Sequence, residues 1–256
     1  MSRKKLISVA IILALVIAIG GILAYFTDVK TKTNKFKMGT IEIIVDEGDF
    51  PEEGEPDVVP GAEFVKSPKV INVGTIPVYA FVEVTIPYDT VRIGEETTAI
   101  ERDLFEMVHN VTEGGNTTTV PGINAGWKSV NFEGSVETST GSGIYVKKTH
   151  QAATATEPED TTRGVATYVF AYVGNGTTLK ALEGKANDEA EKGEETNTLF
   201  DKVRFIDVTE TTPVDSKIQG QIFNVIVSGY GIQTTELGLE GAAATDPDQV
   251  WPLVKR

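Results

Sequence analysis

The chain contains no cysteine and only two histidines, His109 and His150, among its 256 residues. The absence of cysteine excludes disulfide scaffolds, cysteine-ligated zinc, iron–sulfur clusters and thiol nucleophiles. Basic residues are also scarce, since 23 Lys and Arg stand against 37 Asp and Glu and give a net charge of −14. A chain this acidic repels a polyanion, so no nucleic-acid partner is expected.

The first 24 residues differ in composition from the rest. Three basic residues precede an uncharged apolar run over residues 6–24, which ends in the small residue Ala24. This order predicts a secretory signal peptide, residues 1–24, that is cleaved between Ala24 and Tyr25. The alternative is a retained membrane anchor, because an apolar run of this length can span a bilayer. Contact with a membrane is therefore expected only through an uncleaved signal, and export without cysteine suits a Gram-positive exterior.

Residues 25–40 form a basic arm ahead of an acidic body. The arm carries four lysines against Asp28 alone, which gives it a charge of +3. Cleavage of the signal removes three basic residues and no acidic residue, so the mature chain carries −17 and the body after the arm carries −20. A cationic segment on an anionic body indicates an interaction arm, and the alternative is a solvated first strand.

The body has the pattern of an antiparallel β-protein. Short β-branched and aromatic runs, bounded by turn residues, predict six strong strands and eight to ten with the weaker ones. The acidic segment 46–57 is a predicted loop, and helices are predicted at 95–112 and within 179–195. The fold class is therefore all-β, a jelly-roll-like antiparallel β-sandwich over 41–240 with one or two short inserted helices and a C-terminal tail at 241–256. The strong strands are predicted at 40–45, 64–71, 77–87, 164–174, 202–209 and 221–233.

No motif in the chain predicts catalysis. The nucleophile elbow, phosphate-binding glycine loops and the H-E-x-x-H zinc motif are all absent. The nearest metal candidates are Glu106 and His109, with Asp103 three residues earlier, which would line one face of the predicted helix. The simpler interpretation is a solvated acidic helix with a surface histidine, so no cofactor and no enzymatic activity are expected. A Ser–His–Asp triad stays open, because one sequence cannot test it.

Five sequence blocks resemble the TasA/camelysin family of Gram-positive bacteria. At the signal junction, Ala-aromatic-x-Asp is followed by about ten polar residues and by Phe36-x-x-Gly39-Thr40-Ile41. The other blocks resemble the family's P-G turn, its N-x-G-T-x-P-x-Y block, its E-T-x-x-L-F segment and its closing strand. They lie at Val59–Gly61, Val70–Tyr79, Glu194–Val203 and Ile226–Gln233.

The resemblance implies a jelly-roll domain, a dedicated signal peptidase and a protein that is secreted or held at the cell surface. TasA-like members are biofilm-matrix subunits that join head to tail, because the N-terminal segment of one subunit adds a strand to the next. Camelysin is described as a surface metallopeptidase, which gives the alternative function.

The residues support the filament interpretation independently. Strand addition needs a free arm and an open sheet edge, and residues 25–38 are predicted to form an extended segment without glycine or proline. We therefore expect a homopolymer, with possible accessory matrix proteins, and a third candidate is a surface protein that does not polymerise. The predicted donor-strand residues are Tyr25, Phe26, Asp28, Val29, Lys30, Lys32, Lys35 and Phe36.

Overall fold

A computed structural model describes residues 38–48, 58–151, 160–187, 189–208, 218 and 222–255. Within these residues the chain forms fourteen strands, all paired antiparallel, a 3-10 helix and one α-helix. The elements are β1 (Ile43–Asp46), β2 (Glu63–Val65), β3 (Lys69–Asn72), β4 (Val78–Val91), β5 (Ile100–Asp103), β6 (Phe105–Glu113), β7 (Asn116–Pro121), β8 (Trp127–Ser129), β9 (Val136–Glu137), β10 (Tyr145–Gln151), β11 (Asp160–Tyr172), β12 (Ala181–Leu182), β13 (Lys202–Phe205), β14 (Ile226–Gln233), the 3-10 helix Gly241–Thr245 and α1 (Pro247–Val254).

The strands form three sheets around a long central strand. The largest sheet has eight strands and is centred on β4, which pairs with β5, β11, β12 and β14. Because residues 81–85 of β4 pair with both β11 and β14, these two strands lie on opposite edges of β4. The second sheet has the order β2-β13-β6-β7, and the third contains β1 and β3. The prediction of an all-β antiparallel sandwich is confirmed, whereas the jelly-roll connectivity stays a prediction.

The two faces of β4 are chemically different, as the sequence predicts. Alternate aliphatic residues from Val78 to Ile86 enter the main core, which they share with Phe105, Phe200 and Phe205 on the other side of the sandwich. The opposite face carries Tyr79 and Phe81 and belongs to a second core. Since neighbouring side chains of a strand point to opposite faces, one alternating sequence supports two separate cores.

Both predicted helices inside the sandwich are wrong. The segment 95–112 contains β5 and most of β6. Leu104 lies between these two strands and interrupts the alternation of inward and outward side chains, so the apolar residues of the segment have a spacing that resembles that of a helix. Strand pairing on β4 and β13 overrides local helix propensity there. Among the described residues of 179–195, the chain forms the short strand β12 and an irregular segment without a helix. In that segment a side chain on Gly193 would lie 2.3 Å from the carbonyl oxygen of Glu183.

The C-terminal residues 241–256, described above as a tail, contain a helix that covers the second core. Val250 of this helix is fully buried, and Trp251 is only 5% exposed. The ring of Trp251 lies 5.4 Å from the ring of Phe81, measured between centroids. The helix begins at Pro247, and the side chain of Asp246 caps it by accepting a hydrogen bond from the backbone N–H of Asp248. The sandwich therefore has a helical layer on one outer face.

The side chain of Asn72 joins its own turn, residues 72–76, to strand β12 inside the body. Its side-chain amide donates to the carbonyl oxygens of Ile76 and Leu182, both at 2.9 Å, and its side-chain oxygen accepts from the N–H of Gly74. The residue is fully buried, so these bonds have no competition from water. The N-x-G-T block therefore holds two parts of this fold together through buried hydrogen bonds.

We predict that Asn72→Ala destabilises the protein by about 2–3 kcal/mol, because it leaves buried backbone groups without partners. Urea unfolding followed by circular dichroism measures this change. Asn116→Ala, at an exposed position of β7, is the matched control and stays within about 0.5 kcal/mol of the parent. Equal stability of the two variants would contradict the role given to Asn72.

We predict that Trp251→Ala costs about 3–5 kcal/mol, because it opens a cavity between α1 and the second core. Thermal unfolding measures the loss, and the fluorescence that remains reports only Trp127. Gln249→Ala on the exposed face of the same helix is the control and leaves the midpoint nearly unchanged. A Trp251→Ala protein as stable as this control would show that the helix layer is dispensable.

Candidate functional site

Strand β14 has an edge without a strand partner in the described part of the chain. All eight of its residues, Ile226–Gln233, pair with β4 on one side, and no other described strand pairs with it. An edge strand presents backbone N–H and C=O groups that can pair with a further strand. This edge is eight residues long and belongs to the largest sheet, so it is the main candidate for strand addition.

One face of β14 is shaped for close packing under β1. A side chain on Gly229 would lie 2.3 Å from Val45 Cγ2, and one on Gly231 would lie 2.9 Å from Ile43 Cγ2. Two glycines in alternate positions therefore let the side chains of β1 approach the backbone of β14. Among the described residues β1 pairs only with β3, so it provides a second unpartnered edge near β14.

The opposite face of β14 is covered by α1. Tyr230 and Ile232 pack against the second core, and the rings of Tyr230 and Trp251 meet edge to face at 5.3 Å. Lys255 closes this corner, since its Nζ lies 2.5 Å from Glu83 Oε2 and 5.3 Å from the centre of the Tyr230 ring. Partial burial lowers the pKa of Lys255, but the hydrogen bond and charge of Glu83 outweigh this effect and the net shift is upward. Contacts on both faces hold β14 in place. Its open edge is therefore already ordered, which lowers the entropic cost of pairing with a further strand.

The region around this edge is acidic. Residues 222–255 contain one basic residue, Lys255, which is paired with Glu83, and four acidic residues. Two of these residues, Glu236 and Glu240, are exposed in the segment that follows β14. A cationic segment would therefore be attracted to this side of the sandwich.

The body holds the chain firmly at the point where the predicted arm ends. The N–H of Thr40 donates to Thr75 Oγ1, and the N–H of Thr75 donates to the carbonyl oxygen of Thr40, both at 2.9 Å. A side chain on Gly39 would lie 2.2 Å from Ile76 Cγ2, so only glycine fits there without a shift. The Gly-Thr pair of the first block and the N-x-G-T block thus contact each other.

The predicted cleavage site and donor strand lie outside the described residues. This applies to Ala24 and Tyr25 and to all donor-strand residues from Tyr25 to Phe36. Within the residues that the structure describes, no helix is long and apolar enough to cross a membrane. The apolar run at 6–24 is not among them.

The metal candidates do not share a helix face, which corrects that prediction. Glu106 and His109 lie three residues apart in strand β6 and so point to opposite faces. Glu106 is engaged by Arg204, with Oε2 2.5 Å from Nη2, while His109 pairs across the sheet with Val120. Asp103, on β5, accepts a hydrogen bond from the hydroxyl of Tyr168. No group of three His, Cys, Asp or Glu side chains among the described residues could hold a metal ion.

The sequence patterns predict neither the open edge of β14 nor the helix that supports it. The strand itself is predicted, and its alternate glycines at 229 and 231 were the available signal of a close backbone approach. Which edge stays unpaired depends on how distant strands are arranged. That order is a property of the tertiary structure alone.

Comparison with known proteins gives one family match. Residues 2–103 match the model of the family described as camelysin metallo-endopeptidase. No curated protein matches the chain. The matched range contains the signal junction, the P-G turn and the N-x-G-T block, while the blocks at Glu194–Val203 and Ile226–Gln233 lie beyond it. The match over residues 2–103 confirms the resemblance of this part of the chain to the TasA/camelysin family.

Proposed function

We propose that this chain is a secreted structural subunit of an extracellular biofilm-matrix filament, in which the arm of one subunit adds a strand to the β14 edge of the next. The observation that carries the proposal is the open edge of Ile226–Gln233, supported on both faces by β1 and α1. Strand addition supplies main-chain hydrogen bonds for affinity and uses alternate side chains for specificity.

The arm is long enough for this contact. Residues 25–38 span roughly 45 Å when extended, and an eight-residue strand covers roughly 26 Å at about 3.3 Å per residue. Several residues therefore remain to connect the donated strand to Thr40, where the donor's own body holds the chain. A contact between two different surfaces of the same molecule does not close on itself, so repeated addition produces a fibre.

The side chains of the arm suit the two sides of the β14 edge. In 25–33 every second residue is uncharged: Tyr25, Thr27, Val29, Thr31 and Thr33. Placed beside β14, this face would lie towards β1. The alternating face carries Phe26, Asp28, Lys30 and Lys32, with a net charge of +1, and it would lie towards the acidic side of the sandwich.

We predict that removal of residues 25–38 abolishes fibres, because the donor strand is then missing while the acceptor edge is intact. Negative-stain electron microscopy of the cleaved protein and of the deleted form measures this outcome. A synthetic peptide of residues 25–38 shortens the fibres of the parent by occupying β14, whereas a peptide of scrambled order does not. Fibres of equal length from both protein forms would contradict the proposal.

Charge reversal provides a matched test of the partner surface. Replacement of Lys30, Lys32 and Lys35 by Glu changes the arm from +3 to −3 and is expected to slow assembly strongly. Glu236→Lys with Glu240→Lys on the acceptor restores assembly of this arm variant if the two surfaces meet. If assembly is not restored although both variants are folded, the arm does not bind beside Glu236 and Glu240. Monomers under all conditions would favour the surface protein that does not polymerise.

The alternative function is a camelysin-like cell-surface metallopeptidase, which the description of the matched family supports. The described residues do not fit a metal centre, so ligands would have to include residues outside them, such as the acidic segment 49–57. Under the filament proposal we expect no chelator-sensitive casein cleavage by the purified protein or by its His109→Ala variant. Cleavage that zinc restores after chelation would favour the peptidase.

A further inference from the structure

A cleft opens between the two larger sheets, and none of the described residues that line it belongs to β14. Its volume is about 400 Å³, within the range of pockets that hold small molecules. The exposed surface of the walls is mainly apolar, and the polar lining residues are Arg102, Asp103, Glu106, Thr138 and Tyr168. Two of them, Asp103 and Tyr168, are hydrogen-bonded to each other. The apolar part of the wall consists of Ile86, Ile93, Phe105, Met107, Ile144 and Ile206.

Asp103 presents a carboxylate in this apolar surrounding. One oxygen, Oδ2, accepts the hydroxyl hydrogen of Tyr168. The other oxygen, Oδ1, lies 3.9 Å from Lys148 Nζ, which is too far for a hydrogen bond. Burial raises the pKa of the Asp103 carboxyl, and the hydrogen bond from Tyr168 and the charge of Lys148 only partly offset this effect.

The other charged groups around Asp103 already have close partners. Lys148 Nζ lies 2.6 Å from Glu101 Oε1, and Arg102 Nη2 lies 2.6 Å from Glu96 Oε1. Glu106, from the opposite sheet, is held by Arg204. Of the two carboxylates that line the cleft, Asp103 and Glu106, only Asp103 has no Lys or Arg nitrogen within hydrogen-bond distance among the described residues.

We propose that this cleft binds a small amphipathic amine, with its apolar body between the two sheets and its ammonium group donating to Asp103 Oδ1. An ammonium supplies the charge-assisted hydrogen bond that this oxygen lacks. The net charge of −14 on the chain favours a cation over an anion at the entrance. The site is independent of the β14 edge and of filament formation.

The pH dependence follows from the same geometry. Asp103 faces Tyr168 of β11, Lys148 of β10, Glu101 of its own strand and Glu106 of β6. The ammonium binds the ionised carboxylate, so affinity for an amine rises as pH increases through the raised pKa of Asp103. A neutral ligand in the same cleft would not show this rise.

The test is titration of the purified protein with 2-phenylethylamine, 2-phenylethanol and 3-phenylpropionate, followed by NMR. We expect the amine to bind at least about tenfold more tightly than the alcohol, the acid to bind least, and the amine's advantage to fall at acidic pH. Asp103→Asn removes this advantage, Ile144→Trp fills the cleft and blocks both ligands, and the exposed Asp207→Asn is the unchanged control. The comparison of ligands on the parent protein keeps the test valid if a variant does not fold.

Equal affinity for amine and alcohol, or absence of binding by both, would overturn the proposal. Amine binding that Asp103→Asn leaves unchanged, in a folded variant, would also overturn it. Shifts of the resonances of Ile144 and Tyr168 on amine addition would support it, whereas shifts confined to the β14 side would contradict it.

Discussion

The fold depends on one strand that is paired along both edges and differs in chemistry between its faces. Strand β4 pairs with β11 and β12 along one edge and with β14 and β5 along the other edge. Its aliphatic face forms the main core with the other sheets, and its aromatic face forms the second core with α1. Because the chain has no disulfide, burial of apolar surface on these two faces has to hold the sandwich together.

The blocks that carry the family resemblance have structural roles in this molecule. Asn72 joins separate segments by hydrogen bonds, and Gly229 and Gly231 allow β1 to lie close to β14. Thr196 of the E-T-x-x-L-F block bonds Val70 through its side chain and its backbone, while Leu199 and Phe200 are fully buried. A resemblance carried by such residues predicts a fold well, but it says little about chemistry, because none of them presents a reactive group to solvent.

The two proposed sites use different consequences of the same architecture. The β14 edge follows from the order of strands, since an open sheet must end in strands with one unpaired edge. The Asp103 cleft follows from the spacing of the two sheets, which leaves room between apolar walls beside a carboxylate. One site would recognise a backbone and the other a small cation, so they can act separately.

Composition and alternation in the sequence determined the β-class, the strand regions around residues 78–87, 164–172 and 226–233, the absence of cysteine chemistry and the charge contrast between arm and body. These properties are local, because period-two alternation and turn residues act through near neighbours. The sequence misassigned 95–112 and 179–195, where pairing with distant strands and close backbone approach outweigh local helix propensity. Only the tertiary structure decided that Trp251 contacts Phe81, that Asp103 contacts Tyr168, and that no described strand pairs with the second edge of β14. Each of these depends on contacts between residues far apart in the chain, which no local pattern encodes.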